Sequence, residues 1–232
     1  MRDALQKLMW IAITLGVVAA LGLTIERLRQ RNLRAWAREL HGTFEAGGFL
    51  SGVLVPEAQS FTALGASSTA TYHNVVRMER GGARYVAAKC YRPAPSNKSR
   101  SSSDLVVFVT FPEADFPQVG LSRPLSVEMS KMMAGAGVRA APSSLKVPDA
   151  LGRFTEAYEV RPLTDSAPPT PPALAAFLSL PVQEELCSAS AILSDIQVRG
   201  SVVRFRASRQ PSLSSYKETL ALAERIVALW RR

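Results

Sequence analysis

The order of apolar and polar positions divides the chain into three stretches with different periods. Leu8 to Ile25 reads LMWIAITLGVVAALGLTI, 18 residues without a charge. At about 1.5 Å per residue a helix of this length covers about 27 Å, close to the ~30 Å hydrocarbon core of a bilayer. Ala4 and Leu5 extend it by a turn, and Trp10 suits an interfacial position. Arg2, Lys7 and the Ala20-Leu21-Gly22 run also meet the outline of a signal peptide. Against cleavage, the block Glu26-Arg27-Leu28-Arg29-Gln30-Arg31 follows at once and acts as a stop. An uncleaved single-pass anchor is therefore expected.

From Arg27 the pattern is amphipathic with a helical period. Arg27, Arg31, Arg34 and Arg38 fall within about 60° of arc, and Leu33, Trp36, Leu40 and Phe44 lie on the opposite side. The membrane helix is predicted to continue unbroken to about Phe44, ending before Gly47-Gly48. Residues 1–45 then form the anchor and its juxtamembrane extension, and residues 46–232 a soluble domain. The arginine face is expected to meet anionic lipid headgroups, at about 1 kcal/mol per charge, or acidic residues of a neighbouring subunit, or water. The apolar face needs a partner, either the chain's own domain or another protein. Within the span, the small residues Gly16, Ala19, Ala20 and Gly22 permit close packing against other membrane helices.

The third stretch shortens its period to that of strands. A strand is predicted over 49–55, ended by Pro56, with a Ser/Ala/Gly-rich loop to about Ala70. Residues 74–80 and 83–92, joined by Gly81-Gly82, read as a hairpin. In its second strand Val86, Ala88 and Cys90 share one face, and Tyr85, Lys89 and Tyr91 the other. Residues 93–103 are a polar loop. The apolar run 104–111 (DLVVFVTF) is a buried strand. A short helix is predicted over 124–134 and an alternating strand over 155–161, with Tyr158 and Val160 inward. Residues 162–172 are a Pro-rich loop. Residues 173–188 are helical, with Pro181 either kinking the helix or starting a second one. Residues 192–199 and 201–208 form a second hairpin around Gly200. An amphipathic helix from about Leu213 to Arg232 closes the chain on Tyr216, Leu220, Ala223, Val227 and Trp230. Hairpins with helices near their ends make an α+β domain: a mainly antiparallel sheet with flanking helices, behind one membrane helix.

Charge sharpens this picture. Of the net charge of +9, residues 1–103 carry +8 (14 Lys/Arg against 6 Asp/Glu) and residues 104–232 carry +1 (14 against 13). Five arginines (Arg27, Arg29, Arg31, Arg34, Arg38) follow the span, whereas Arg2 and Lys7 precede it. The positive-inside rule then places the N-terminus outside and the domain in the cytoplasm of a bacterial-type inner membrane. There Cys90 and Cys187 are expected to stay reduced. The folded half is near neutral and has no aromatic-interleaved basic strand, so nucleic acid is not an expected partner. Arg204 and Arg206 make at most a small basic strip.

Candidate chemistry is sparse. No glycine cluster matches a dinucleotide or phosphate loop, and no cofactor is expected. Two cysteines and two histidines fall short of a four-ligand metal site. His41 and His73 read as capping and edge residues, Cys90 as a buried hydrophobe and Cys187 as structural. No catalytic residue is assigned. The nearest candidates are Glu113 and Asp115, on a loop after a strand. The leading expectation is a non-catalytic accessory subunit of a larger inner-membrane complex, with energy-transducing hosts, photosynthetic or respiratory, checked first. The alternatives are a free-standing tethered domain that binds a soluble protein or anionic lipid, and a membrane-anchored hydrolase using the Glu113/Asp115 loop.

Overall fold

The computed structural model describes residues 2–48, 51–61, 70–93, 101–124, 144–149, 151–163, 167–208 and 210–231. It has the predicted α+β architecture, a long apolar N-terminal helix followed by one open antiparallel sheet with flanking helices. In chain order the elements are α1 (Arg2–Glu39), β1 (Thr43–Glu45), α2 (Pro56–Gln59), β2 (Thr71–Arg80), β3 (Ala83–Arg92), β4 (Ser102–Thr110), β5 (Phe116–Ser122), α3 (Phe154–Ala157), β6 (Glu159–Pro162), α4 (Pro171–Phe177), α5 (Leu180–Ala189), β7 (Leu193–Gly200), β8 (Val202–Ala207) and α6 (Leu213–Trp230). The eight strands lie in the order β1-β2-β3-β4-β8-β7-β5-β6, and every neighbouring pair is antiparallel.

The sheet has two cores because its middle strands are apolar on both faces. Leu105, Val107 and Val109 of β4 point to the inner face, which α1, α4, α5 and α6 cover. Val106 and Phe108 point to the outer face, where Val53, Val55, Ala58 and Phe61 from the segment around α2 pack on Val86, Ala88 and Cys90. This double burial is why the run 104–111 shows no alternation. The predicted inward stripe of α6 is buried from Tyr216 to Val227, and Ser212 caps that helix by accepting from the backbone N–H of Ser215 at 3.1 Å.

Three predicted elements need correction, and one strand was not predicted at all. First, α1 stops at Glu39, not Phe44. His41 takes a left-handed backbone (φ 54°), its N–H bonds Arg38 O at 3.0 Å, and the Gly42 N–H bonds Ala37 O at 2.8 Å. This is a Schellman closure with histidine in the place usually held by glycine, so the sequence carries no glycine signal at that position. Phe44 lies on β1 and Leu40 in the cap, both packed against the inner core. Second, the predicted strand over 49–55 is reduced to the isolated bridges Gly48–Gly52 and Val53–Tyr72; Phe49 and Leu50 lie outside the described residues. Third, β5 was not foreseen, because Pro117 and Gly120 argue against a strand. Pro117 falls where the register with β7 shifts between Phe116 and Val119, so no ladder donor is required of it. Fourth, the strand predicted over 155–161 is one turn of helix, α3, followed by β6. Asp149 accepts from the Phe154 and Thr155 N–H groups at the start of α3, and Tyr158 and Val160 are nevertheless buried. Pro181 does start a second helix, α5. The helix predicted over 124–134 falls almost wholly outside the described residues.

Candidate functional site: a helix shared between membrane and domain

The two halves of α1 face different surroundings. The segment from Met9 is the one described helix long and apolar enough to cross a membrane, with a mean hydropathy of 1.9 over its best window and none of that window buried by the protein. Trp10, Ile13, Leu15, Val17, Val18 and Leu21 are exposed on every side of it. An apolar cylinder of this kind needs lipid or other membrane helices around it. A Cβ added at Gly16 or Gly22 would meet nothing within 4 Å, so the small-residue positions offer an open surface.

Only eight residues beyond Ile25, the same helix enters the inner core. Leu33 is fully buried, and Trp36 and Ala37 nearly so. The Trp36 ring meets Tyr216 of α6 edge to face at 6.3 Å. A polar clamp holds the helix lower down. Glu26 Oε1 accepts from Asn74 Nδ2 at 2.8 Å, and the Asn74 backbone carbonyl accepts from the Tyr216 hydroxyl at 3.0 Å. Asn74 is 2 % exposed and has φ 53°, which asparagine tolerates better than most residues, at the point where the β2–β3 register shifts. Burial pushes the Tyr216 hydroxyl far above its ordinary pKa, so it keeps the proton that it donates in this bond. Higher up, Gly42 lies so close to β2 that a Cβ there would sit 2.3 Å from the Arg77 carbonyl oxygen. α1 and the cap that ends it are thus seated on the domain at three heights.

The predicted contact residues divide accordingly. Leu33 and Trp36 are buried by the chain's own domain, and Leu40 and Phe44 are half-buried against the same core. Those side chains are therefore taken up within the protein. Arg27, Arg31, Arg34 and Arg38 stay exposed on the opposite side. Among the described residues none of the four has a carboxylate partner; Arg34 lies over the Phe44 ring at 5.7 Å, and Arg29 is the one that pairs with Glu26, at 2.9 Å. The clamp residues Glu26 and Asn74 were not anticipated. Tyr216 was placed on a buried stripe, but nothing local marks its hydroxyl partner 142 residues away.

The remaining candidates are dispersed. Glu113 and Asp115 are exposed on the β4–β5 loop and line different clefts. Glu113 lines one of 460 Å³ with Phe111, Phe116 and Trp230, and Asp115 one of 580 Å³ with Arg199 and Phe116. His41 is the helix cap described above. His73 is half-buried beside the Thr71 hydroxyl at 3.1 Å, and desolvation, with the Lys89 charge second, lowers its pKa. Cys90 is buried in the outer core, and burial raises the half-buried Cys187 thiol. Among the described residues no group of three or more His, Cys, Asp or Glu side chains is placed to hold a metal ion.

No protein-family model matches the sequence, and none of the curated proteins does. Among solved structures, the chain is similar to the crystal structure of the mycobacterial trehalose monomycolate transport factor A. The two share 11 % identity with a TM-score of 0.54, over 87 % of this chain and 94 % of that one. At that identity the likeness is one of fold.

Proposed function

We propose that this protein is a membrane-tethered, non-catalytic accessory subunit of a larger inner-membrane complex, with its domain on the cytoplasmic side. The observation that carries the reading is the division of α1, apolar and uncovered on all sides in its first part and built into the domain core in its second. A flexible tether would let the domain sample many orientations. A continuous helix seated with its cap at three heights holds it at one tilt and one distance from the bilayer, which suits a brace between membrane helices and cytoplasmic surfaces of the same assembly. Orientation rests on the arginine asymmetry about the span. Arg27, Arg31, Arg34 and Arg38, which have no carboxylate partner among the described residues, favour a second contact of the same element, with anionic headgroups near Arg27 and with acidic protein surface farther out. Arg38 stands about 20 Å beyond Ile25 along the helix, outside the headgroup layer.

The test is purification of the full-length chain in mild detergent, followed by gel filtration and mass spectrometry of what stays bound. A fixed stoichiometric set of membrane proteins supports the subunit reading and identifies the host; a clean monomer refutes it. The mycobacterial protein of similar fold is, by its name, a trehalose monomycolate transport factor. Transport proteins are therefore among the hosts to look for in that set.

A further inference from the structure

The outer face of the sheet is apolar where α2 and its flanks cover it, and polar over the neighbouring strands. There the register sets Arg206 opposite Val106 on one side and Asp195 on the other, and sets Arg204 opposite Phe108 and Gln197. Asp195, Gln197, Arg204 and Arg206, with Arg92 of β3 and Ser122 of β5, line a groove of 340 Å³. Three guanidinium groups here share two carboxylates. Arg204 Nη2 donates to Asp195 at 2.9 Å, Arg206 Nε lies 3.0 Å from Asp104, and Arg92 Nη2 lies 3.5 Å from the same Asp104 oxygen. Asp104 and Arg204 are 7 % and 8 % exposed, so this excess of one positive charge stands in a poorly solvated place. Arg204 is also fixed in position, its guanidinium 5.2 Å over the ring of buried Phe61, and its Nε has no hydrogen-bond partner. Each guanidinium offers five N–H donors, more than the two carboxylates can take up.

We propose that this groove binds a phosphate-bearing anion, received by Arg92, Arg204 and Arg206 with Gln197 and Ser122 as neutral partners. A tetrahedral oxyanion has the acceptors to use the spare donors and the charge to balance the site. The groove's location suggests two sources for that chemistry. Arg206 stands one register step from the row Ala207–Leu105–Lys89–His73. His73 in turn adjoins Asn74, which Glu26 ties to the first turn beyond the membrane span. The phosphate is therefore either a phospholipid headgroup or a free phosphate compound.

Calorimetric titration of the full-length chain in neutral detergent tests this, with inorganic phosphate in one arm and soluble short-chain phosphatidylglycerol in another, against phosphatidylcholine of the same chain length. One-to-one binding of phosphate marks a free ligand; binding of phosphatidylglycerol but not of phosphate or phosphatidylcholine marks a headgroup. In either case the isosteric Gln197→Glu, which places a carboxylate beside Arg204, should weaken binding about tenfold or more, the scale of one charge-assisted hydrogen bond. Arg84→Gln, exposed at the start of β3 and away from the groove, should leave it unchanged. The thermal midpoint of Gln197→Glu shows whether that variant is folded. The proposal is overturned if neither probe binds, if Gln197→Glu binds as the parent does, or if Arg84→Gln weakens binding as much as Gln197→Glu.

Discussion

Truncating Trp36 to alanine tests the seating of α1 most directly. The side chain is 6 % exposed and lies between the helix and Tyr216. A buried tryptophan removes about 200 Å² from water, worth about 5 kcal/mol at ~25 cal/mol/Å². The undocked chain still covers part of that area, which lowers the figure by about 10–40 %, and the edge-to-face contact adds about 1 kcal/mol. Trp36→Ala is therefore expected to destabilise the domain by about 4–5 kcal/mol, within the usual range for aromatic truncation in a core. The assay is urea unfolding of the full chain in neutral-lipid nanodiscs, followed by loss of sheet ellipticity. Arg34→Gln, on the exposed side of the same turn, should change stability by no more than about 0.5 kcal/mol. A loss below about 1 kcal/mol for Trp36→Ala, with the sheet intact, would show that the helix does not dock as described.

Other consequences follow from the same region and from the α3 cap. Gly42→Ala forces a Cβ onto the Arg77 carbonyl oxygen, so a loss of about 2–3 kcal/mol is expected, read as a lowered thermal midpoint. His41→Gly relieves a left-handed non-glycine residue and should raise stability by about 1 kcal/mol; a decrease would show that the imidazole does more than cap. The Asp149 carboxyl is held below its ordinary pKa chiefly by the Thr155 backbone N–H, with the Thr155 hydroxyl and the Phe154 and Gly152 N–H groups assisting. A depressed carboxylate stabilises fully above the unfolded value and loses its effect as pH falls through the folded one. The gap in thermal midpoint between the parent and Asp149→Ala should therefore be widest near neutrality and close on acidification.

Much of the architecture was legible because period reports burial. The two hairpins, the run 104–111 and α6 each signal their packing within ten to twenty residues. The failures have two physical causes, unusual local backbone closures and partners remote in sequence. The end of α1 is set by a left-handed histidine and by the closeness of Gly42 to β2, and no propensity scale anticipates either. β5 survives a proline because the bulge opposite β7 asks nothing of that nitrogen. The amphipathic arc from Arg27 announces two faces, but which face the domain claims depends on a hydrophobic surface assembled from β1, β2 and α6. The arginine row stands out in the sequence; Arg204 and Arg206 show there only as a small strip on one strand, and Arg92 joins them through the β3–β4 and β4–β8 pairings.

If α1 is a rigid brace, the phase of the helix matters as well as its length. One alanine inserted between Leu28 and Leu33 advances the membrane half by about 100° and 1.5 Å relative to the docked half. Leu33, Trp36 and Ala37 keep their places on the sheet, so the domain should fold, but Glu26 can no longer meet Asn74 and the span presents a different face to its neighbours. Four inserted alanines add about 400° and 6 Å, returning the face to within about 40° of its original direction. Co-purification with membrane partners should therefore be lost with one inserted residue and largely retained with four. Equal retention in both would mean that the domain hangs on a tether, and the three-height seating would then describe stability without bearing on assembly. Loss in both with the fold intact would make height above the bilayer, rather than direction, the quantity the partners read. A rigid element that spans lipid and protein core links these two quantities, and only an insertion series can separate them.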